Sequence, residues 1–219
     1  MKIKITYTRA RTLTPFAYHS LMVQSGTATL PELISDRAIA FGTASALGML
    51  SASVALPEMD YKKHLSAMPF RTSVFLTDEP KLLQPLTRRC NLDEEAGYKE
   101  KIRNVTYKGN LQSFFHIQEV PHDQVFHGVF FGFDNFDPFD ATEDKKNLVI
   151  RIGLHRNGML LLEKKDQFSV DNIEVRLNMS TAHLFGKKNM PMERYCLHSL
   201  QLSPLLKLKD ASKEVETWL

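Results

Sequence analysis

Basic side chains mark this sequence at intervals: Arg9, Arg11, Arg37, Arg71, Arg88, Arg89, Lys99, Lys101, Arg103, Lys108, Arg151 and Arg156. They fall at strand ends, at a helix start or in a charged middle segment, the places from which cationic groups converge on phosphates. The stretch NLVIRIGLHRNGMLLLEKK at 147–165 puts Arg151, His155 and Arg156 on or beside a turn between two apolar runs. A solvated surface explains any one of these residues, and only a common face would make a site of the set. Net charge does not decide it: 28 Lys+Arg against 25 Asp+Glu leave +3, too small an excess to argue for a polyanion partner unless the charge is sorted onto one side.

Other chemistry is weaker in the sequence. His122, Asp123 and His127 form H-D-x-x-x-H with His116 nearby, donors that suit a metal, yet on a hairpin they divide between two strands and a turn. Solvated histidines are the expectation, and no metal site is assigned. Asp134, Asp137, Asp140, Glu143 and Asp144 offer hard oxygen ligands, but the segment lacks the central glycine of a calcium loop. It reads as an acidic solvated loop. The hydrolase G-x-S-x-G, the phosphate-loop, the dinucleotide and the H-E-x-x-H signatures are all absent. No serine, cysteine or tyrosine stands beside a histidine in a recognisable catalytic pattern, so no cofactor and no catalytic residue are assigned. Phe114, Phe115, Phe126, Phe130, Phe131 and Phe133 could stack on bases but in such strands more often fill a core. Cys90 and Cys196 lie far apart outside any zinc spacing and are expected to be reduced thiols of a cytoplasmic protein.

The elements that must position these residues follow from periodicity. Lys2 to Thr8 alternates as a half-buried strand, and Phe70 to Thr77 reads as a second. Ser35 or Asp36 can cap a helix running through ALGML, apolar around most of its circumference. The segment between Pro85 and Gly109 is charged and poor in large apolar groups, a solvated excursion from the core. LQSFFHIQEV and VFHGVFFGF, joined at Pro121–Gln124, are expected to form a hairpin, followed by the hairpin at 147–165, a strand over Ile173–Met179, and a short helix starting near Asp210. No apolar stretch reaches the about 20 residues that a bilayer requires, and the amino terminus has no signal-peptide core, so a soluble protein without a membrane partner is expected. With 43% hydrophobic and 24% charged residues over 219 positions, the chain suits one globular domain of α+β class, a helix layer on a largely antiparallel sheet.

Three pieces carry a resemblance. The strand MKIKITYT, the segment ISDRAIAFGTASALGML and the later VIRIGLHRNGMLLLEKK resemble the RAMP-type subunits that cap the handle end of class one CRISPR effector complexes, in particular the diverged type I-D and type IV versions. The family helix N/D-x-A-L-x-x-A-L-G is loosely matched by Asp36, Ala38, Ile39, Ala44, Leu47 and Gly48, and its R-[IV]-G hairpin by Arg151, Ile152 and Gly153. The matched pieces make up about a fifth of the chain, and none of them is a catalytic signature.

The resemblance implies a single domain over 1–219 with a ferredoxin-like (RRM-like) antiparallel sheet, a packed helix, and a thumb-like insertion at 81–110. It also implies a non-catalytic subunit that binds the 5′ handle of a guide RNA (crRNA) within a CRISPR ribonucleoprotein used in antiviral or anti-plasmid defence. The RNA-binding residues would be Arg9, Arg11, Arg37, Arg71, Arg88, Arg89, Arg103, Lys108, Arg151, His155 and Arg156. Partners would be the crRNA, the CRISPR backbone subunit and large subunit, and target DNA near the handle. The glycine-rich carboxyl-terminal loop of related crRNA-processing endonucleases is absent, which weighs against their activity. Two competitors remain: a metal-independent endoribonuclease of the same superfamily, with His19, His116 or His155 as general base, and a protein-only interaction module.

Overall fold

A computed structural model describes residues 2–18, 21–23, 26–49, 60–89, 114–153, 157–187, 190–196 and 200–218. The first strand, β1 (Ile3–Thr12), is longer than its alternation predicts and forms the middle of the main sheet. On one side it pairs antiparallel with β9 (Val125–Phe133), on the other with β11 (Gly158–Lys164). β10 (Asn147–Ile152) pairs outside β11, as the hairpin at 147–165 requires. Beyond β9 lie β5 (Phe70–Thr72), β6 (Phe75–Leu76) and, against β6, β4 (Leu33–Ile34). The expected strand over Phe70–Thr77 is thus two pieces, interrupted where Ser73 Oγ receives the Val129 N–H and Val74 bridges to Arg176.

The antiparallel order β11-β1-β9-β5, with α1 (Asp36–Ala46) on the path from β1 to β5, is ferredoxin-like. The fold class is α+β. The passage from β9 to β11 carries β10 where a ferredoxin-like fold has a second helix.

The expected hairpin across Pro121–Gln124 does not form. β8 (Phe114–Gln118) leaves for a separate four-stranded sheet with β2 (Leu21–Val23), β3 (Gly26–Ala28) and β7 (Leu86–Arg89), pairing parallel to β3 and antiparallel to β7. The physical reason lies in Thr12, whose backbone and hydroxyl bond to Pro121, Asp123 and Gln124 and capture the connection for the end of β1. Ile173–Met179 is likewise shorter in strand than expected: β12 (Glu174–Val175) pairs with β15 (Leu206–Lys207), Arg176 and Asn178 make single bridges to Val74 and Leu202, and Met179 begins α3 (Met179–Leu184). α2 (Tyr61–Ser66) and the hairpin β13 (Arg194–Cys196) with β14 (Leu200–Leu202) complete the elements before α4 (Leu208–Glu216).

Both faces of the main sheet pack, but unequally. The even-numbered face of β1 and β9 carries Ala10, Phe126 and Phe130, which join Ile150, Leu160 and Leu162 under Ile39, Ala40 and Ala44 of α1. α1 stops after Ala46 because Gly48, with φ +71°, turns the backbone into the left-handed region that glycine takes at little cost. Its start is fixed by Asp36, a buried carboxylate that accepts from Asn178 Nδ2 at 2.6 Å and Thr181 Oγ1 at 2.7 Å, tying α1 to α3. The odd-numbered face carries Ile3 and Ile5 with Val129, Phe131 and Phe133, sealed by Leu177, Met179, Leu208, Ala211, Val215 and Trp218.

Candidate nucleic-acid interface

Continuing along the odd-numbered face, the residue types change. After Ile3, Ile5 and Tyr7, β1 presents Arg9 and Arg11; after Phe133, Phe131 and Val129, β9 presents His127 and Val125. Register sets Arg9 opposite His127 and Glu163, and Arg11 opposite Val125 and Leu161. One strand further, Leu161 faces Val149 and Met159 faces Arg151. Side chains of paired residues leave a sheet on the same side, so Arg9, Arg11, Arg151, His127, Met159, Leu161 and Val149 share one face. Among the described residues, the carboxyl-terminal segment reaches this half only at its margin, beside His127. Val149 is 43% exposed, and Arg151 is exposed with no ion-pair partner among the described residues.

The electrostatics of this half are mixed. Arg9 Nη1 lies 3.4 Å from Glu163 Oε2, and Arg11 Nη1 lies 3.3 Å from Asp123 Oδ1. Both pairs are partly solvated, hold their side chains loosely and contribute little to stability. Arg151 stands two strands from Arg11, roughly 10 Å away across the sheet. His127 stacks on Tyr7, ring centroids 5.8 Å apart, with the Tyr7 hydroxyl 3.1 Å from His127 Nδ1. Partial burial, and then the neighbouring positive charges of Arg9 and Lys165, hold the imidazole below its usual pKa although Asp78 pulls the other way. Burial, then Asp78, raises the Tyr7 phenol.

The remaining expected residues divide. Arg71, expected among the RNA-facing set, is 3% exposed: its Nη1 donates to the Phe70 and Met68 carbonyls, and its guanidinium lies between the Phe133 and Phe185 rings. Burial lowers its pKa to about 10. That position is a core position, and no surface is left on which it could meet RNA. Arg37 sits at the start of α1, off the open face, with Nε on Thr181 Oγ1 and its guanidinium over Tyr61. Arg88 and Arg89 belong to the backbone of β7 in the smaller sheet. Arg103, Lys108, Lys99, Lys101, His155, Arg156, His19 and Cys90 lie outside the described residues, as does most of the 81–110 insertion. His116 is half-buried in β8, and His122 is exposed in the turn before β9.

The acidic segment is built into the fold instead. Asp137, buried, accepts from Lys164 at 2.8 Å and pairs with Lys4 at 3.0 Å. Burial opposes its charge, but the hydrogen bonds from Lys164, Lys4 and the Phe139 N–H outweigh it and hold the carboxyl below its ordinary pKa. Asp144 takes the Lys146 and Asn147 N–H groups, which bring it to about 2. No group of three His, Cys, Asp or Glu suited to a metal occurs among the described residues. Phe126, Phe130, Phe131 and Phe133 are buried, as core phenylalanines are. Tyr7, His127 as a face residue, and Lys165 are absent from the expected set. The alternation Ile3-Ile5-Tyr7-Arg9-Arg11 was the signal that could have found Tyr7, since one strand face must carry all five.

No protein-family profile matches the chain, and no curated protein matches it. Among solved structures, eight chains are similar. One belongs to the cryo-EM structure of the Type III-B Cmr-beta bound to cognate target RNA and AMPPnP, at 17% identity and a TM-score of 0.45, covering 92% of this chain and 84% of that one. A likeness of that degree assigns neither ligand nor partner. No helix among the described residues is long and apolar enough to cross a membrane.

Proposed function

We propose that this chain is a non-catalytic subunit that holds the 5′ handle of a crRNA in a CRISPR ribonucleoprotein, gripping it on the open half of the odd-numbered sheet face. The observation that carries this reading is the convergence of Arg9, Arg11 and Arg151 from β1 and β10 onto one face left open among the described residues, interleaved with Val149, Leu161 and His127. Single-stranded RNA needs cations to position its phosphates and flat or apolar surface under its splayed bases, and an antiparallel sheet offers both in alternating rows. Arginine serves each purpose through bidentate hydrogen bonds and stacking. The resemblance of the first strand, the α1 segment and the 147–165 hairpin to RAMP-type handle-end subunits supports the same assignment. On this reading the 81–110 segment leans on the backbone subunit, the large subunit and target DNA adjoin the handle, and pairing by the guide reads the target.

The test is to purify the protein from cells co-expressing its genomic neighbours and to sequence the bound nucleic acid. Short RNAs sharing one 5′ end, depleted by Arg11→Ala and Arg151→Ala, are expected. RNA-free protein, or random RNA indifferent to both changes, would remove the assignment. Site-specific cleavage of a precursor by the purified protein would replace it with the endoribonuclease reading.

A further inference from the structure

The open face ends in a cavity of about 310 Å³ at the edge of the covered half, lined by Tyr7, Leu76, Asp78, His127, Asn172 and Glu174 among others. A second hollow beyond it shares Asp78 and His127 with the first. The volume falls at the small end of ligand-sized pockets. Its chemistry is unlike that of the arginine rows beside it: two carboxylates and a histidine set against a tyrosine. Resting on the RNA-binding reading above, we infer that this cavity takes one splayed base of the bound strand and selects guanine, with Asp78 accepting from its Watson–Crick edge and His127 donating to its O6.

Three features support the assignment. First, guanine alone presents two adjacent N–H donors, N1–H and N2–H, on that edge, and a carboxylate has two acceptor oxygens to meet them; adenine and cytosine present a donor next to an acceptor, and uracil a lone donor between acceptors. Second, Tyr7 keeps its hydrogen, since its phenol is pushed up, and the His127 imidazole is held towards the neutral form. The Tyr7 hydroxyl lies 3.1 Å from His127 Nδ1; in the tautomer in which that hydroxyl donates to Nδ1, the neutral ring carries its own hydrogen on Nε2 and can donate it to the base. Third, the loop carrying Asp78 is held before any ligand arrives. Gln124, 6% exposed, donates from Nε2 to Thr77 Oγ1 at 3.1 Å and to the Glu79 carbonyl at 2.6 Å, while the Thr77 N–H bonds the Glu32 carbonyl at 3.0 Å. With the backbone fixed on both sides of Asp78, only its exposed carboxylate has to be ordered when the base binds. Asp78 and Glu174 also repel phosphate, so the cavity admits the base and leaves the backbone to Arg9, Arg11 and Lys165.

The experiment uses the full-length protein and fluorescein-labelled nine-residue oligouridylates carrying one central G, A, C, U or inosine, with affinity read by anisotropy. The central G is expected to bind about tenfold more tightly than A, C or U, and inosine, which lacks the N2 amino group, to lose most of that gain. Asp78→Asn should erase the preference, so that on this variant the central-G strand binds no more tightly than the all-uridine strand, and Arg151→Ala should weaken all five strands alike. Equal affinity for all central bases, or a preference that survives Asp78→Asn, would overturn the guanine pocket and leave the RNA face standing. Failure to bind any strand would overturn the RNA-binding reading and this inference with it.

Discussion

The two halves of the odd-numbered sheet face share the same sheet and opposite fates. In one half, Ile3, Ile5, Val129, Phe131 and Phe133 lie under α3, α4 and Trp218. In the other, Arg9, Arg11, His127 and Arg151 face outward. The backbone is continuous across the boundary, so pairing geometry does not distinguish the halves; side-chain chemistry does. An apolar row is unstable in water and recruits a cover, whereas a row of guanidinium groups would lose its hydration under the same cover. The difference teaches that the cover over a sheet face ends where the alternating row changes from apolar to cationic, here between Tyr7 and Arg9.

Substitutions can break that comparison, beginning with the covered half. Phe131→Ala removes a fully buried ring from between the sheet and the carboxyl-terminal segment and is expected to cost about 3–5 kcal/mol in urea unfolding. The same change should leave the midpoint of RNA titration of the surviving folded protein unaltered. A loss of under about 1 kcal/mol would show that the seal is dispensable.

Asp137→Asn is expected to cost about 2 kcal/mol at pH 7, below the range for fully buried pairs because Lys4 and Lys164 keep 33% and 23% of their side-chain surface. The native carboxyl sits below its unfolded value near about 3.9. Its contribution is therefore present above that pH and disappears as pH falls through the lower native value. The stability gap between wild type and variant, measured by denaturant titration at a series of pH values, should close below about pH 4. A gap that persists there would assign the loss to packing.

Substitutions in the open half reverse the pattern. Arg11→Ala and Arg151→Ala should change unfolding free energy by less than about 0.5 kcal/mol, yet weaken RNA binding about five- to tenfold each. Removing one phosphate-binding cation should also flatten the logarithmic salt dependence by about 0.7 on a single strand. A variant that destabilises the fold without changing the salt slope would return its arginine to the structural half. The smallest effect is expected at Glu163, whose carboxylate lies beside Arg9. Glu163→Gln should raise RNA affinity by about two- to threefold at low salt by releasing that guanidinium, and the gain should vanish as ionic strength rises.

Much of this was legible in the residues. The alternation of β1, the hairpin at 147–165 and the helix start at Asp36 all follow from local pattern, since their periods and turn chemistry are short-range. The pairing of β8 was not, because which strand captures Phe114–Gln118 depends on Thr12, far away in the sequence. Arg71 misled for a related reason: a lone arginine beside Phe70 looks like a strand-end cation, and only tertiary packing supplies the Phe133 and Phe185 rings that bury it over the local Met68 and Phe70 carbonyls. Tyr7 escaped notice because it sits in no motif, and His127 was read only within H-D-x-x-x-H as a solvated histidine; register alone makes the two neighbours.

The central place of β1 also dictates a schedule. Its two flanking strands, β9 and β11, come much later in the chain, so on a ribosome adding roughly 5–20 residues per second the first strand waits on the order of ten seconds with both edges unpaired. During that wait Ile3 and Ile5 have no native cover, and the cations of the strand, Lys4, Arg9 and Arg11, are the charge it carries to discourage pairing with another nascent copy. Arg9 and Arg11 thus guard the chain during synthesis, well before the sheet closes around their strand.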